Sequence, residues 1–261
     1  MMKKCLSLLL CNLFVATVAQ AQPATTSVTT QAPTLTDPWK FSVTPYAWGM
    51  GITGSISRND RSLGEVKLKP GDVLSDLKMA AMFVAEARNG RLSLYLDGVY
   101  GDLGNTASKA VGRADLQAST NLRMTMLTLA PSYTLQESPS FRLDGLIGAR
   151  FMWQNASTTF SSPDLKQTAT ENSNLQIGAV VAGLKGRFDL GGSKYFVPFY
   201  VDAGVGQSSS FTSQAYLGIG RTFDWGDVSL VAKNVYYQFK PYNTTVDLNM
   251  FGAAIAATFR F

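Results

Sequence analysis

The chain contains no histidine at all. Ser-His catalysis of the outer-membrane phospholipase and deacylase kind is therefore excluded, as is the Asp/His arrangement of outer-membrane proteases. Its two cysteines, Cys5 and Cys11, both fall in the first eleven residues. Residues 1–21 carry Lys3 and Lys4, an apolar stretch over 6–18 and an Ala19-Gln20-Ala21 cleavage pattern, which together read as a secretory signal peptide. The mature chain is then expected to have no thiol, disulfide, or cysteine or histidine metal site, which leaves carboxylates as the side-chain ligands. No cofactor is expected. A third absence is of long hydrophobic runs: the best, over 175–184, is about ten residues with two glycines, too short for a spanning helix. Nor is there a strong charge balance. Loss of Lys3 and Lys4 lowers the formal net charge from +5 to +3, too mild and too scattered to suggest nucleic acid.

What is present is alternation. About 240 residues remain after cleavage, enough for one large domain. Residues 22–38, opening QPATTSVTTQAPTLTD, show no period and read as a disordered tether. From 39 to 261, tight breaks at Asn89-Gly90, 137–140, 191–193 and 225–227 alternate with looser polar segments at 56–76, 104–116, 158–172, 207–213 and 241–245. Between them lie ten candidate strands, near 40–55, 77–88, 91–103, 117–135, 141–157, 171–188, 195–207, 213–224, 228–241 and 245–261. Most exceed the roughly 9–11 residues that cross a tilted bilayer. Eight or twelve strands remain open, since 56–76 could hold its own hairpin.

Within the 141–153 segment, Phe141, Leu143, Ile147, Phe151 and Trp153 share one face, with Arg142, Asp144, Gly148 and Arg150 on the other. The final run, FGAAIAATFRF (251–261), places Phe251, Ile255, Phe259 and Phe261 opposite Thr258 and Arg260. The polar faces mix Gly, Ala, Ser and single charges, which suits a crowded lumen better than a watered surface. Aromatic residues gather near strand ends, at Tyr46, Trp48, Tyr133, Phe141, Phe151, Trp153, Phe196, Tyr236, Tyr237, Phe259 and Phe261, in the manner of an interfacial girdle. The fold expected is an all-β, antiparallel transmembrane β-barrel of about ten strands.

A chain ending on an aromatic strand residue resembles outer-membrane proteins, in which the terminal strand is an assembly signal; Phe259 and Phe261 would supply it here, with Ala256 where a glycine is usual. TPYAWGMGITG (44–54), FVAEARNGR (83–91), LDGVYGD (96–102), GAR (148–150), GLKGR (183–187) and DAG (202–204) are similar, in order, to landmarks of a widespread group of poorly characterised bacterial outer-membrane barrel proteins. One departure is Lys233-Asn234-Val235-Tyr236, where an arginine commonly sits in a Tyr-Arg pair. The resemblance implies an outer-membrane location and no activity. Both termini are then expected in the periplasm, and the partners are outer-membrane lipid and the barrel assembly machinery.

The charges expected in the lumen are Glu86, Arg88, Arg91, Asp97, Arg142, Asp144, Arg150, Asp202, Lys233 and Arg260. They could form ion pairs filling a narrow interior, or a constriction conducting small solutes with a weak preference for anions, since the bases outnumber the acids. In the segment VKLKPGDVLSDLK (66–78), Asp72 could cap a turn of helix presenting Val73, Leu74 and Leu77, either as an ordinary loop helix or as a plug in the barrel mouth. The expected function is a non-enzymatic structural or narrow-pore protein. The alternative is a surface ligand-binding or adhesion protein acting through the loops at 56–76, 104–116 and 158–172.

Overall fold

A computed structural model of the chain describes residues 38–261, apart from residue 60 and the segments 112–113, 163–166, 208–209 and 241–243. The signal peptide and nearly all of the 22–38 segment lie outside the described residues. Eleven strands and one short helix follow in order: β1 (Lys40–Arg58), β2 (Arg61–Leu68), α1 (Pro70–Ser75), β3 (Leu77–Asn89), β4 (Leu92–Val111), β5 (Ala114–Ser138), β6 (Phe141–Ser162), β7 (Gln167–Asp189), β8 (Tyr195–Gly206), β9 (Phe211–Phe223), β10 (Gly226–Phe239) and β11 (Thr244–Arg260).

Ten of these strands close into an antiparallel barrel, with β11 pairing back on β1 from Ser42↔Arg260 to Arg58↔Thr244. The last residue completes the seam, because the Phe41 and Phe261 backbones exchange N–H···O bonds of 3.0 and 2.8 Å. At the end of the barrel where the termini lie, the connections are tight. Gly90, at φ 55°, supplies the left-handed conformation that the Asn89–Leu92 turn requires. At the other end, most of what the sequence reads as loose segments is strand: β4 and β5 take up 104–116 except residues 112–113, and β6 and β7 take up 158–172 except residues 163–166. There β4 to β7 run to 20–25 residues and rise well beyond the closed wall.

The eleventh strand is the extra hairpin arm that 56–76 left open. β3 pairs with β1 only from Lys40↔Arg88 to Pro45↔Phe83, and the ladder stops at Pro45, which has no N–H to give. From Ile52 onward, β2 takes that edge of β1. The interval between them is wedged by α1. A Cβ on Gly51 would sit 3.1 Å from the Leu68 carbonyl oxygen and 3.2 Å from Pro70 Cδ, so the missing side chain is what lets the helix start lie against the strand. Asp72 accepts the Lys69 backbone N–H (2.9 Å) from within the first turn, so Lys69 rather than Asp72 marks the helix boundary. Val73 is buried among Trp48, Met50 and Ile52, and Leu77 packs against the same group from the first position of β3. Leu74 is exposed. The helix is thus neither a free loop turn nor a full plug.

Strand parity holds through β6: Asp144, Leu146, Arg150 and Met152 point inward and are buried, while Ile147 and Phe151 point outward and are exposed. On the outer wall at the termini end, Phe141 stacks with Phe199, Phe223 with Trp225, and Trp225 lies against Phe259, forming an aromatic band. Four residues assigned to that band from sequence belong elsewhere. Tyr46, Trp48, Phe196 and Tyr237 have inward parity and pack inside the barrel. Nearness to a strand end does not fix the face; parity does.

This register carries a prediction. In lipid vesicles, Leu143→Arg and Ile147→Arg place a charge on the outer wall, at a cost of about 2–4 kcal/mol near the bilayer midplane. Both should lower the folding yield well below that of Arg142→Leu, measured as the fraction showing heat-modifiable migration. The reverse order would mean that β6 faces the other way.

Candidate functional site

Seen from the termini end, the interior is built in tiers, and the sequence of each strand sets which tier its inward residues enter. Residues at i and i+2 share a face, so Glu86 and Arg88 on β3, Lys185 and Arg187 on β7, and Tyr200 and Asp202 on β8 each present a pair to the lumen.

The outermost tier is a rim of ion pairs. Arg187 Nη1 donates to Asp227 (2.7 Å), Arg260 pairs with the same carboxylate, and Arg187 Nε donates to Asp189 (2.7 Å). Arg142 pairs with Glu137 across the β5–β6 turn and is half exposed. One step deeper, Arg88 and Lys185 share two acids. Arg88 donates to Glu86 (2.6 Å) and Asp144 (2.5 Å), and Lys185 to Glu86 (2.7 Å) and Asp144 (3.0 Å). Around these charges lies a cavity of about 490 Å³, opening between Lys40, Phe41 and Phe261 and reaching down to Tyr46, Tyr95 and Tyr216. Its opposite wall is small and weakly polar, with Ser229, Ala254, Ala256 and Thr258.

The cavity ends on a septum. Tyr95, Tyr200 and Tyr216 stack in a row with centroids 5.4 Å apart. Beside them Lys233 donates to Asp97 (2.9 Å) and to the Tyr46 hydroxyl (2.8 Å), while Tyr46 donates to Asp97 and Gln214 bridges to it as well (2.8 Å each). At the centre, the Arg150 guanidinium spends every N–H. It donates to Thr128 (3.0 Å), to Thr212 (3.2 Å), to Gln214 (3.0 Å) and to both oxygens of Asp202. Asp202 also accepts from the Tyr200 hydroxyl and from the Gln214 backbone N–H. Arg150 is 1 % exposed and Asp202 2 %. Strands β1, β4, β5, β6, β8, β9 and β10 all contribute to this cross-brace, so it spans the lumen.

Beyond the septum, toward the loop end, the interior turns apolar. Trp48, Met50, Ile52, Val99, Met124, Met126, Met152, Val235 and Met250 form one buried cluster, with Val73 of α1 pressed into it. Among the described residues no group of acids could hold a metal ion.

Of the charges expected inside, Glu86, Arg88, Asp97, Asp144, Arg150, Asp202 and Lys233 come together in the two inner tiers. Arg142 and Arg260 stand at the rim. Arg91 does not belong to the lumen: it occupies the β3–β4 turn, with its guanidinium 5.4 Å from the centroid of the outward Tyr133 ring. A turn residue escapes the strand's alternation, which is why parity counting misplaced it. Lys185, Arg187 and Asp227 were missed, although each shares the parity of an inward neighbour. Tyr46, Tyr95, Tyr200 and Gln214 were missed as site residues because neutral polar side chains leave no charge signal.

No protein-family model matches the chain, and no curated protein matches it. Among solved structures, the fold is similar to the outer membrane protease OmpT of Escherichia coli, at 11 % identity and a TM-score of 0.53, covering 87 % of this chain and 98 % of that one. Lower-scoring likenesses are to Ail, the attachment invasion locus protein of Yersinia pestis (13 % identity, 86 % and 99 % covered, TM-score 0.35), and to the translocator domain of the autotransporter NalP of Neisseria meningitidis (12 %, 86 % and 89 %, 0.44). The shared property is the fold, an outer-membrane type of β-barrel.

The septum generates a stability prediction. Asp202→Ala leaves the Arg150 guanidinium buried without its partner, which costs about 3–5 kcal/mol for a pair of this kind. Replacing both, Arg150→Met with Asp202→Leu, removes the stranded charge and should recover most of that loss. Urea titration of the folded protein in detergent micelles measures both, and a double variant no better than the single would remove the pair from its bracing role.

Proposed function

We propose that this chain is a non-enzymatic outer-membrane barrel with a closed lumen, a structural element of the membrane rather than a solute pore. The observation that carries this is the Arg150–Asp202 brace, whose donors are all engaged within the barrel and which is backed by a packed apolar layer on its loop side. A conducting constriction needs charges with hydration sites free to exchange with the permeating ion. Here each of the central cations is committed to a carboxylate at hydrogen-bond distance. The cavity at the termini end is a blind vestibule on this reading.

The location rests on the fold, the outward aromatic band and the pairing of Phe261 into the seam. Short turns at the termini end and long strands at the other favour periplasmic termini. Lipid and the barrel assembly machinery are then the partners of the folding chain.

Two measurements test the proposal. In planar bilayers the purified protein should give little or no steady conductance; a steady, weakly anion-selective current that shifts toward cations with Arg150→Glu would overturn the closed lumen. Deletion of Phe261 removes the two backbone bonds to Phe41 and should reduce the folded protein recovered from the outer membrane while raising periplasmic degradation. Recovery of the full-length protein as soluble periplasmic material would overturn the membrane location.

A further inference from the structure

The long strands β4 to β7 carry a second feature, on their outer face and beyond the barrel wall. Register pairing sets Asp102, Arg123, Asn155 and Asn174 side by side across the four strands. Two residues further along the same face, Asn121, Ser157 and Asn172 form a second row. A hollow of about 320 Å³ lies over these two rows. With strands ~4.8 Å apart and same-face residues ~7 Å apart along a strand, the platform measures about 14 Å by 7 Å, the footprint of a short saccharide.

Its chemistry is that of neutral amides. Asn155, Asn172 and Asn174 make no side-chain hydrogen bond to another described residue. Each offers two donors and an acceptor on a planar edge, which complements neighbouring sugar hydroxyls that both give and accept. Each cation nearby has a polar partner: Arg123 donates to one oxygen of Asp102 (3.2 Å), and Lys78 donates to the Asn121 side-chain oxygen. The β6 and β7 side of the hollow is lined by neutral side chains alone, Asn155, Ser157, Asn172 and Asn174.

Position along the strand selects the source of the sugar. The row immediately below the platform on the same face, toward the barrel wall, is Tyr100, Thr125, Trp153 and Gln176, and Trp153 stacks on Phe151 (5.6 Å). Aromatic residues at this height mark the level of lipid head groups. The amides therefore stand where the head group of a neighbouring lipid would lie, not out in bulk solvent.

We propose that the outward platform on β4–β7 binds the sugar hydroxyls of a glycolipid head group in the membrane around the barrel. The inference rests on the outer-membrane reading and is independent of whether the lumen is closed. To test it, the full chain is first folded in phospholipid vesicles, where heat-modifiable migration establishes the barrel by itself. In detergent micelles the folded protein is then titrated with lipopolysaccharide bearing its core sugars, with lipid A alone, and with the released core oligosaccharide, reading the temperature at which the folded band is lost.

The core-bearing glycolipid should raise that temperature, and the triple variant Asn155→Ala, Asn172→Ala, Asn174→Ala should lose about ten-fold or more in apparent affinity, as expected when several amide hydrogen bonds disappear. Should the triple variant fold poorly, Asn174→Ala alone should show a smaller loss in the same direction. Equal protection by lipid A would remove the core sugars from recognition, equal protection by free oligosaccharide would assign the site to soluble sugar, and an unchanged triple variant would remove the amides from recognition. Any of these overturns the proposal.

Discussion

Closure of the sheet through β11 and β1 is the constraint on which the rest of the molecule depends. In hydrocarbon there is no water to satisfy a free N–H or C=O, so a spanning sheet must have no edge. The seam meets this with a ladder running the length of both strands and finishing at the backbone of the last residue, Phe261. Where the wall cannot close by strand pairing, above Pro45, the chain uses β2 and the wedge α1 instead. One residue type opens this breach, a proline with no N–H, and another fits the repair, a glycine with no side chain at 51.

Closure around ten strands leaves an interior just wide enough for side chains. The inward residues that are charged must be paired once they are dry. This accounts for the tiers. Lys185 and Arg88 share Glu86 and Asp144; Lys233 holds Asp97; Arg150 holds Asp202. The arrangement trades openness for neutrality. Toward the loop end, methionines and Trp48 fill the lumen instead, and their flexible side chains suit the irregular space left by α1.

Much of the fold was legible because a membrane barrel states its rule in every strand. Inward and outward alternate, so the 141–153 segment already separates Asp144 and Arg150 from Ile147 and Phe151. The ten barrel strands and the tight turns at one end follow from the same reading, whereas 104–116 and 158–172, read as loops from their polar composition, are mostly strand. The extra arm β2 was legible only as a possibility in 56–76. The rule fails where its premise fails. Arg91 is in a turn, outside any alternation, and Tyr46, Trp48 and Phe196 were placed by their nearness to strand ends when their parity already pointed inward.

The sequence by itself determined the class, the strand count within narrow limits, the faces, and the chemistry that is missing, because composition and period two are properties of the chain alone. Tertiary structure decided which charges meet. Arg150 and Asp202 lie on β6 and β8, with β7 between them, and only the curvature of a closed wall brings their side chains together across the lumen. The Asn155, Asn172 and Asn174 platform was likewise invisible in the chain, since it exists through the register of three adjacent ladders. Register is fixed by pairing between strands, and a single sequence read along its length carries no record of what lies beside it.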